Sequence, residues 1–539
     1  MVTSHPHAPM SGLTLKTLLL NGLQAICLAC WLTQWLIDGS QENLLAVSLV
    51  VASTSLVLQY LRLSQAMVTQ PLTSFTLLGF TASSQFVALI AQTTELTPFT
   101  QYLRAPTLTF TILAIVHCVV VLAHFVYRHF TPLTNASQFI ASKILSPLNI
   151  HRIPTPQAIW LMAAIGFMAA IFGGGGFGDV GGKLVAGFTF LMWVPYLIPI
   201  YTKVAGPTYC DTRQQYTLLI AYTAGIVAFA MVKNARAMMF AAPIQLAFLF
   251  VLESCRVPTP LSRRTVTGLA GAALAGLLLM PSLVDMVTAM EISRAKRATA
   301  TAQEMIQDTV ETFLDKDRLR LYREASRGRF IYVRYDESYL SNPLLARFTE
   351  TKFHDNMIYF GSLLDDAGRD ALIDNQLGKM LAIVPQNIFD FLEIKFQKRN
   401  YEYSSGDYYI FLDQGTDFGG FATGSIWADM YVIFGVWFPV ALFALITVVF
   451  ILMDANSRFG PGMFICPTAL CALWPLYLYG IGGESISFKV QQITRGTIQP
   501  AVLYALITFM VFALLHLLQR QAFVPLTDAS DHPRPDARH

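Results

Sequence analysis

Runs of about 20 mostly apolar residues, the length a helix needs to cross a bilayer, recur along this chain of 539 residues. They fall near 14–37, 43–61, 72–92, 106–127, 156–172, 184–202, 215–232, 237–254, 266–290, 426–453, 462–481 and 498–518, which predicts twelve spans. Lipid offers no hydrogen bonds to the backbone, so runs of this kind are confined to helices. The run at 156–172 is short and ends in the glycine tract 173–176. The expected fold is an all-α polytopic membrane protein of about 12 transmembrane helices.

Charge is partitioned in the same way. Residues 291–425 hold 17 of the 37 basic and 21 of the 34 acidic side chains, leaving 33 charges for the other 404 positions. This predicts one large water-facing insert in a membrane body: a membrane domain at 1–290 with helices 1–9, a loop domain at 291–425, a membrane domain at 426–518 with helices 10–12, and a disordered tail at 519–539. Mean hydropathy of +0.49 excludes a disordered or collagen-like chain. A net charge of +3 without a basic stripe gives no footprint for nucleic acid.

Lys and Arg in the short loops set the orientation. With the N-terminus inside, the inner loops carry 14 and the outer loops 6. The expectation is therefore that both termini lie in the cytoplasm and 291–425 faces outward. The outer six are Arg104, Lys183, Lys233, Arg236, Lys489 and Arg495.

Charge at a membrane face is costly and marks candidate sites. Lys233 and Arg236 share a short outer turn, with Arg236 at the start of the eighth helix, and Arg495 precedes the last helix. An arginine fork binds phosphate oxygens bidentately, and a helix N-terminus adds donors. These residues suit a lipid-linked phosphate or pyrophosphate; the plainer alternative is snorkelling to the interface. His354 is the one histidine expected to face outward. Its neighbour Asp355 could tune it as a general base, against the plainer state of an exposed structural histidine. Asp429 is either a helix-start carboxylate or a base at the membrane face, and Glu484 is a further candidate acid. His117 and His124, in the fourth helix, are expected to be buried away from these groups.

The insert should begin with a helix near 294–325, since Met305, Ile306, Val310, Phe313 and Leu314 fall at helical spacing. Beyond it come Tyr332, Tyr335, Tyr339, Tyr359, Tyr401, Tyr403, Tyr408 and Tyr409. Rings and carboxylates on a water-facing cap commonly hold sugars, and an ordinary folded lid is the alternative. The tract Gly173–Gly176, with Lys183 beyond it, has no GK[ST] and suits a loop better than a phosphate cradle. Cys27 and Cys30 form a CxxC in an apolar run without a partner pair, which fits packing rather than redox or metal chemistry. No metal or other cofactor is expected.

The layout from about 156 to 518 resembles the Wzy-type polysaccharide polymerases of the O-antigen and exopolysaccharide pathways, relatives of the O-antigen ligases. The segments carrying the resemblance are Asn234-Ala235-Arg236-Ala237, the stretch from Gly424 to Val436 with its Phe434-Gly435 pair, and Arg495-Gly496 before the last helix. The resemblance implies a GT-C-like membrane glycosyltransferase in the bacterial inner membrane. It implies transfer of a growing glycan from undecaprenyl pyrophosphate to another lipid-linked repeat unit on the periplasmic face, without metal or nucleotide. It also implies a chain-length regulator and a flippase as pathway partners. Ligases carry a histidine near the Phe-Gly-like pair. Here Thr423 and Ser425 occupy that region, which favours a polymerase and leaves the base to His354, Asp429 or Glu484. An O-antigen ligase or other polyprenyl-linked glycan transferase, and a lipid-linked oligosaccharide flippase or transporter, are the rival readings.

Overall fold

The computed structural model describes residues 14–173, 182, 184–206, 208–233, 235–256, 261–294, 301–327, 335–337, 339–415, 418–458, 464–473, 476–477 and 479–518. Regular structure among them is almost wholly helical. The one extended pairing there is a two-residue bridge, Ser457–Arg458 against Phe464–Ile465.

Among the described residues, ten helical stretches are long and apolar enough to cross a membrane. The first four are α1 (Leu15–Ile37), α2 (Gln41–Leu63), α3 (Pro71–Thr94) and α4 (Pro106–His129). After the shorter α5 (Pro156–Phe172) come α6 (Leu184–Ala205), α7 (Thr212–Val232), α8 (Arg236–Arg256) and α9 (Arg263–Ser293). The insert holds α10 (Ala302–Leu314), α11 (Lys316–Arg327), α12 (Thr351–Ser362), α13 (Asp366–Leu381) and α14 (Ser405–Gln414). The ninth stretch runs Ile426–Ala455 as α15 (Ile426–Phe434) and α16 (Phe438–Ala455), and the tenth is α17 (Ile486–Leu517).

The expected twelve spans thus become ten. At 17 residues, α5 falls short of the full length. The run at 462–481 is not one helix: its described residues form half of the two-residue bridge, a π-helical turn at Thr468–Ala472 and short turns. Pro467 and Pro475 fall within its sequence, and proline lacks the backbone donor that a continuous helix needs. The insert's opening helix also divides, into α10 and α11, at Asp315. The tail 519–539 lies outside the described residues.

The chain forms two compact units, Met1–Thr134 with Ala224–Ile451 and Trp474–Ile493, and Asn135–Thr223 with Leu452–Leu473 and Thr494–His539. In the second, α5 packs along the 3-10 stretch Thr189–Leu197, and Trp160 donates to Gln215 at 2.7 Å.

In the first unit, the insert and the membrane helices are joined by backbone chemistry. The π-helical turn Ala82–Phe86 widens α3 and interrupts its regular ladder. The carbonyl of Ser83 accepts the Glu350 amide at 2.8 Å, and that of Ser84 accepts the Thr351 hydroxyl at 2.8 Å. Asp355 accepts the amides of Arg104 at 2.6 Å and Ala105 at 2.9 Å, and the Thr109 hydroxyl at 3.2 Å. It thereby caps α4, whose Pro106 start supplies no donor of its own. Tyr339 donates to the Phe99 carbonyl at 2.8 Å, and Gln92 to the Tyr339 carbonyl at 3.0 Å.

Candidate functional site

Where α12 meets the start of α15, polar side chains gather in a buried cluster. Ser425 is the N-cap of α15, accepting the Ala428 amide. The same hydroxyl lies 3.0 Å from Nδ1 of His354. His354 is not exposed: its relative exposure is 2%. Its ring meets Trp427 edge to face, Trp427 meets Phe80, and Phe80 stacks on His117. His117 therefore belongs to this neighbourhood instead of lying apart from it, while His124 is buried between Tyr60 and Thr73. Burial, with His117 as a lesser cause, holds the His354 imidazole down to about 3, so it is neutral at pH 7.

Asp355 does not tune His354. Consecutive residues on a helix point about 100° apart, and Asp355 faces the α4 terminus. Glu350, four residues before His354 and so on the same side of the helix, brings Oε2 to 3.8 Å from His354 Nε2 and accepts from Ser83 at 3.1 Å. Burial raises the Glu350 carboxyl to about 7, against the opposing effects of Ser83 and Lys489. Nε2 of His354 is buried without a hydrogen-bond partner, as are the Trp427 indole nitrogen and the Gln376 amide nitrogen.

Asp429 is fully buried one turn after Ser425. It accepts the Tyr409 hydroxyl at 2.9 Å and the Ile486 amide at 2.9 Å. These bonds tie α15 to α14 and to the start of α17. Glu484 is partly exposed and accepts the Ser405 amide at 3.1 Å. Gly424 passes so close to the Glu484 carbonyl that a Cβ would sit 2.3 Å from that oxygen. The structure thus brings His354, Asp429 and Glu484 together.

Three further groups were given no role in the site by the sequence reading. Lys379 of α13 donates to the Tyr403 carbonyl and lies 4.6 Å over the Tyr403 ring. Burial lowers its pKa, and Glu484, Asp429 and Asp407 oppose that fall. Lys489 is buried and donates to the Gly482 carbonyl at 2.8 Å and to Gln492 at 2.6 Å. Asp407 accepts the amides of Gly419, Phe421 and Ala422, which shapes the chain's return to the membrane body.

The basic candidates are placed separately. Lys233 lies 5.8 Å over the Phe229 ring. Arg236 is the first residue of α8, and its side chain lies outside the described residues. Both belong to the first compact unit. Arg495 belongs to the second, in a π-helical turn at Thr494–Ile498 within α17. Residues 174–181 and Lys183 of the glycine-rich tract, and Tyr332, lie outside the described residues. Cys27 and Cys30 are buried free thiols in α1. Among the described residues, no three His, Cys, Asp or Glu side chains are placed to hold a metal ion.

Comparison with protein-family models, with curated proteins and with solved structures returns no match to this chain.

Proposed function

We propose that this multi-pass membrane protein is an inner-membrane glycosyltransferase. It polymerises undecaprenyl-pyrophosphate-linked repeat units on the periplasmic face, with both termini in the cytoplasm. The observation that carries the reading is the gathering of His354, Ser425, Asp429, Glu484 and Lys379 into one polar cluster at the junction of insert and membrane helices. Glycan transfer from an activated donor needs an acceptor for the hydroxyl proton and positive charge for the departing pyrophosphate. In the tautomer that donates Nδ1–H to Ser425, His354 Nε2 holds the lone pair for the first task. Asp429 has two bonds to exchange before it can serve. Arg236 and Lys233, both of the first unit, are assigned to the pyrophosphate, and Lys379 interacts with Glu484 and Asp429.

A ligase is the second reading. The histidine missing from the Phe434-Gly435 segment is supplied from α12, 71 residues away, as the partner of Ser425. Glycan length in a deletion strain separates the readings. Loss of polymer with single repeat units still on their final acceptor supports a polymerase. Polymer stranded on its lipid indicates a ligase, loss of all surface glycan indicates a flippase, and unchanged glycan removes all three.

A further inference from the structure

A cavity of about 300 Å³ lies within the first unit. Its lining includes Glu291, Tyr322, Asp336, Glu337, Tyr339 and Phe353. Both walls are fixed to the membrane body. On one side, Asp285 of α9 accepts Lys316 at 2.8 Å and Arg323 at 3.0 Å, holding α11 in place. On the other, Asn356 donates to the Asp336 carbonyl at 2.9 Å, and Tyr339 is bonded to Phe99. The cavity is also close to the cluster along the chain. Phe353 precedes His354, and Glu337 accepts the Thr423 amide at 3.0 Å, two residues before Ser425.

The lining selects a ligand class. Three carboxylates, Glu291, Asp336 and Glu337, stand against two guanidiniums, Arg323 and Arg347. That balance opposes phosphate, so this is not a second place for the leaving group. A wholly apolar ligand would strip water from the carboxylates without giving them partners. A saccharide answers both sides. Its hydroxyls donate to carboxylate oxygens and accept from guanidinium groups. Its C–H faces lie against the rings of Tyr322, Tyr339 and Phe353. The volume sits at the small end of ligand pockets, roughly 300–1,000 Å³, and suits a mono- or disaccharide.

We propose that this cavity binds an uncharged saccharide, and that this saccharide is the acceptor of the transfer. The second half of that statement rests on the glycosyltransferase reading; the first does not. The test uses the full chain in lipid nanodiscs and saturation-transfer NMR. The probes are the repeat-unit oligosaccharide cleaved from the source strain's own polymer, maltose, N,N′-diacetylchitobiose and inorganic pyrophosphate. The wild type binds at least one saccharide, and pyrophosphate does not compete. Tyr322→Ala and Glu291→Gln weaken that binding by ~10-fold or more, while Tyr322→Phe, which keeps the ring, stays within about twofold. Failure of all three saccharides to bind, competition by pyrophosphate, or wild-type affinity in both Tyr322→Ala and Glu291→Gln overturns the assignment. The deletion strain keeps the two ideas apart. Normal glycan there, with binding that still follows Tyr322, removes the functional reading and leaves the cavity. Lost polymer there, restored by pocket variants that bind and extend like wild type, removes the cavity and leaves the function.

Discussion

His354 shows how a side chain's meaning depends on contacts far along the chain. The stretch Thr351-Lys352-Phe353-His354-Asp355-Asn356 reads as polar surface, yet all but Phe353 are buried. Their partners come from α3, α4 and α15, and nothing within the local pattern announces them. Two titrating groups there set opposite pH dependences. The Glu350 pKa is raised to about 7, so its contribution to stability is complete below about 4.5 and is lost as pH rises through 7. The His354 pKa is lowered to about 3, so its contribution is complete above about 6.5 and is lost as pH falls toward 3. Thermal unfolding in detergent should therefore show Glu350→Gln losing less stability than wild type between pH 5 and 8. The difference should be on the order of 1 kcal/mol, because the carboxyl keeps some exposure that screens it. His354→Gln should flatten the acid side instead. In chain extension, at least one of His354→Ala and Asp429→Asn should lower the rate ~100-fold or more in folded, inserted protein. Normal extension by both would pass the role of base to Glu484. Arg236→Lys keeps the charge and loses the fork, and should lower activity ~10-fold. Full activity in Arg236→Ala at normal protein level would end its assignment to pyrophosphate.

At the scale of elements, most spans were legible because apolar length is a direct physical requirement. The miscounts came where proline or shortness weakened that signal, at 462–481 and 156–172. Irregular backbone was the harder part. The π-helical turn in α3 and the break at Gly435, whose φ is +51°, both lie inside apolar runs that read as unbroken. Yet the first supplies acceptors for the insert, and the second frees α15 from the course of α16. Gly424 invites a simple check. An added Cβ would meet the Glu484 carbonyl at 2.3 Å and the Ser405 side chain at 2.8 Å. Gly424→Ala should cost about 1–3 kcal/mol in thermal unfolding and lower chain extension with it. Gly22→Ala, with nothing within 4 Å of its Cβ, should leave both unchanged. Equal melting temperatures for the two variants would show that the close crossing at Gly424 carries no strain.

For the whole molecule, orientation is the reading that the sequence supports through loop charge alone. Of the six outer basic residues, Lys489 is buried and held by Gly482 and Gln492; a cation fixed by packing reports less on sidedness than one in a solvated loop. Asp370, exposed on α13, is the position to probe. A single cysteine there, in a chain otherwise free of cysteine, should react with a membrane-impermeant maleimide in intact cells whose outer membrane is permeabilised. Reaction only after lysis would place the insert in the cytoplasm and remove the periplasmic reading.

Asp355 has a consequence for inheritance and engineering. It closes the exposed start of a membrane helix with a carboxylate that the insert carries. A loop transplanted from another protein would arrive without that carboxylate and leave the Arg104 and Ala105 amides without it. The insert and the α3–α4 hairpin therefore form one exchangeable piece. Variation in the insert at Asp355 should travel with matching changes in the two membrane helices that it joins.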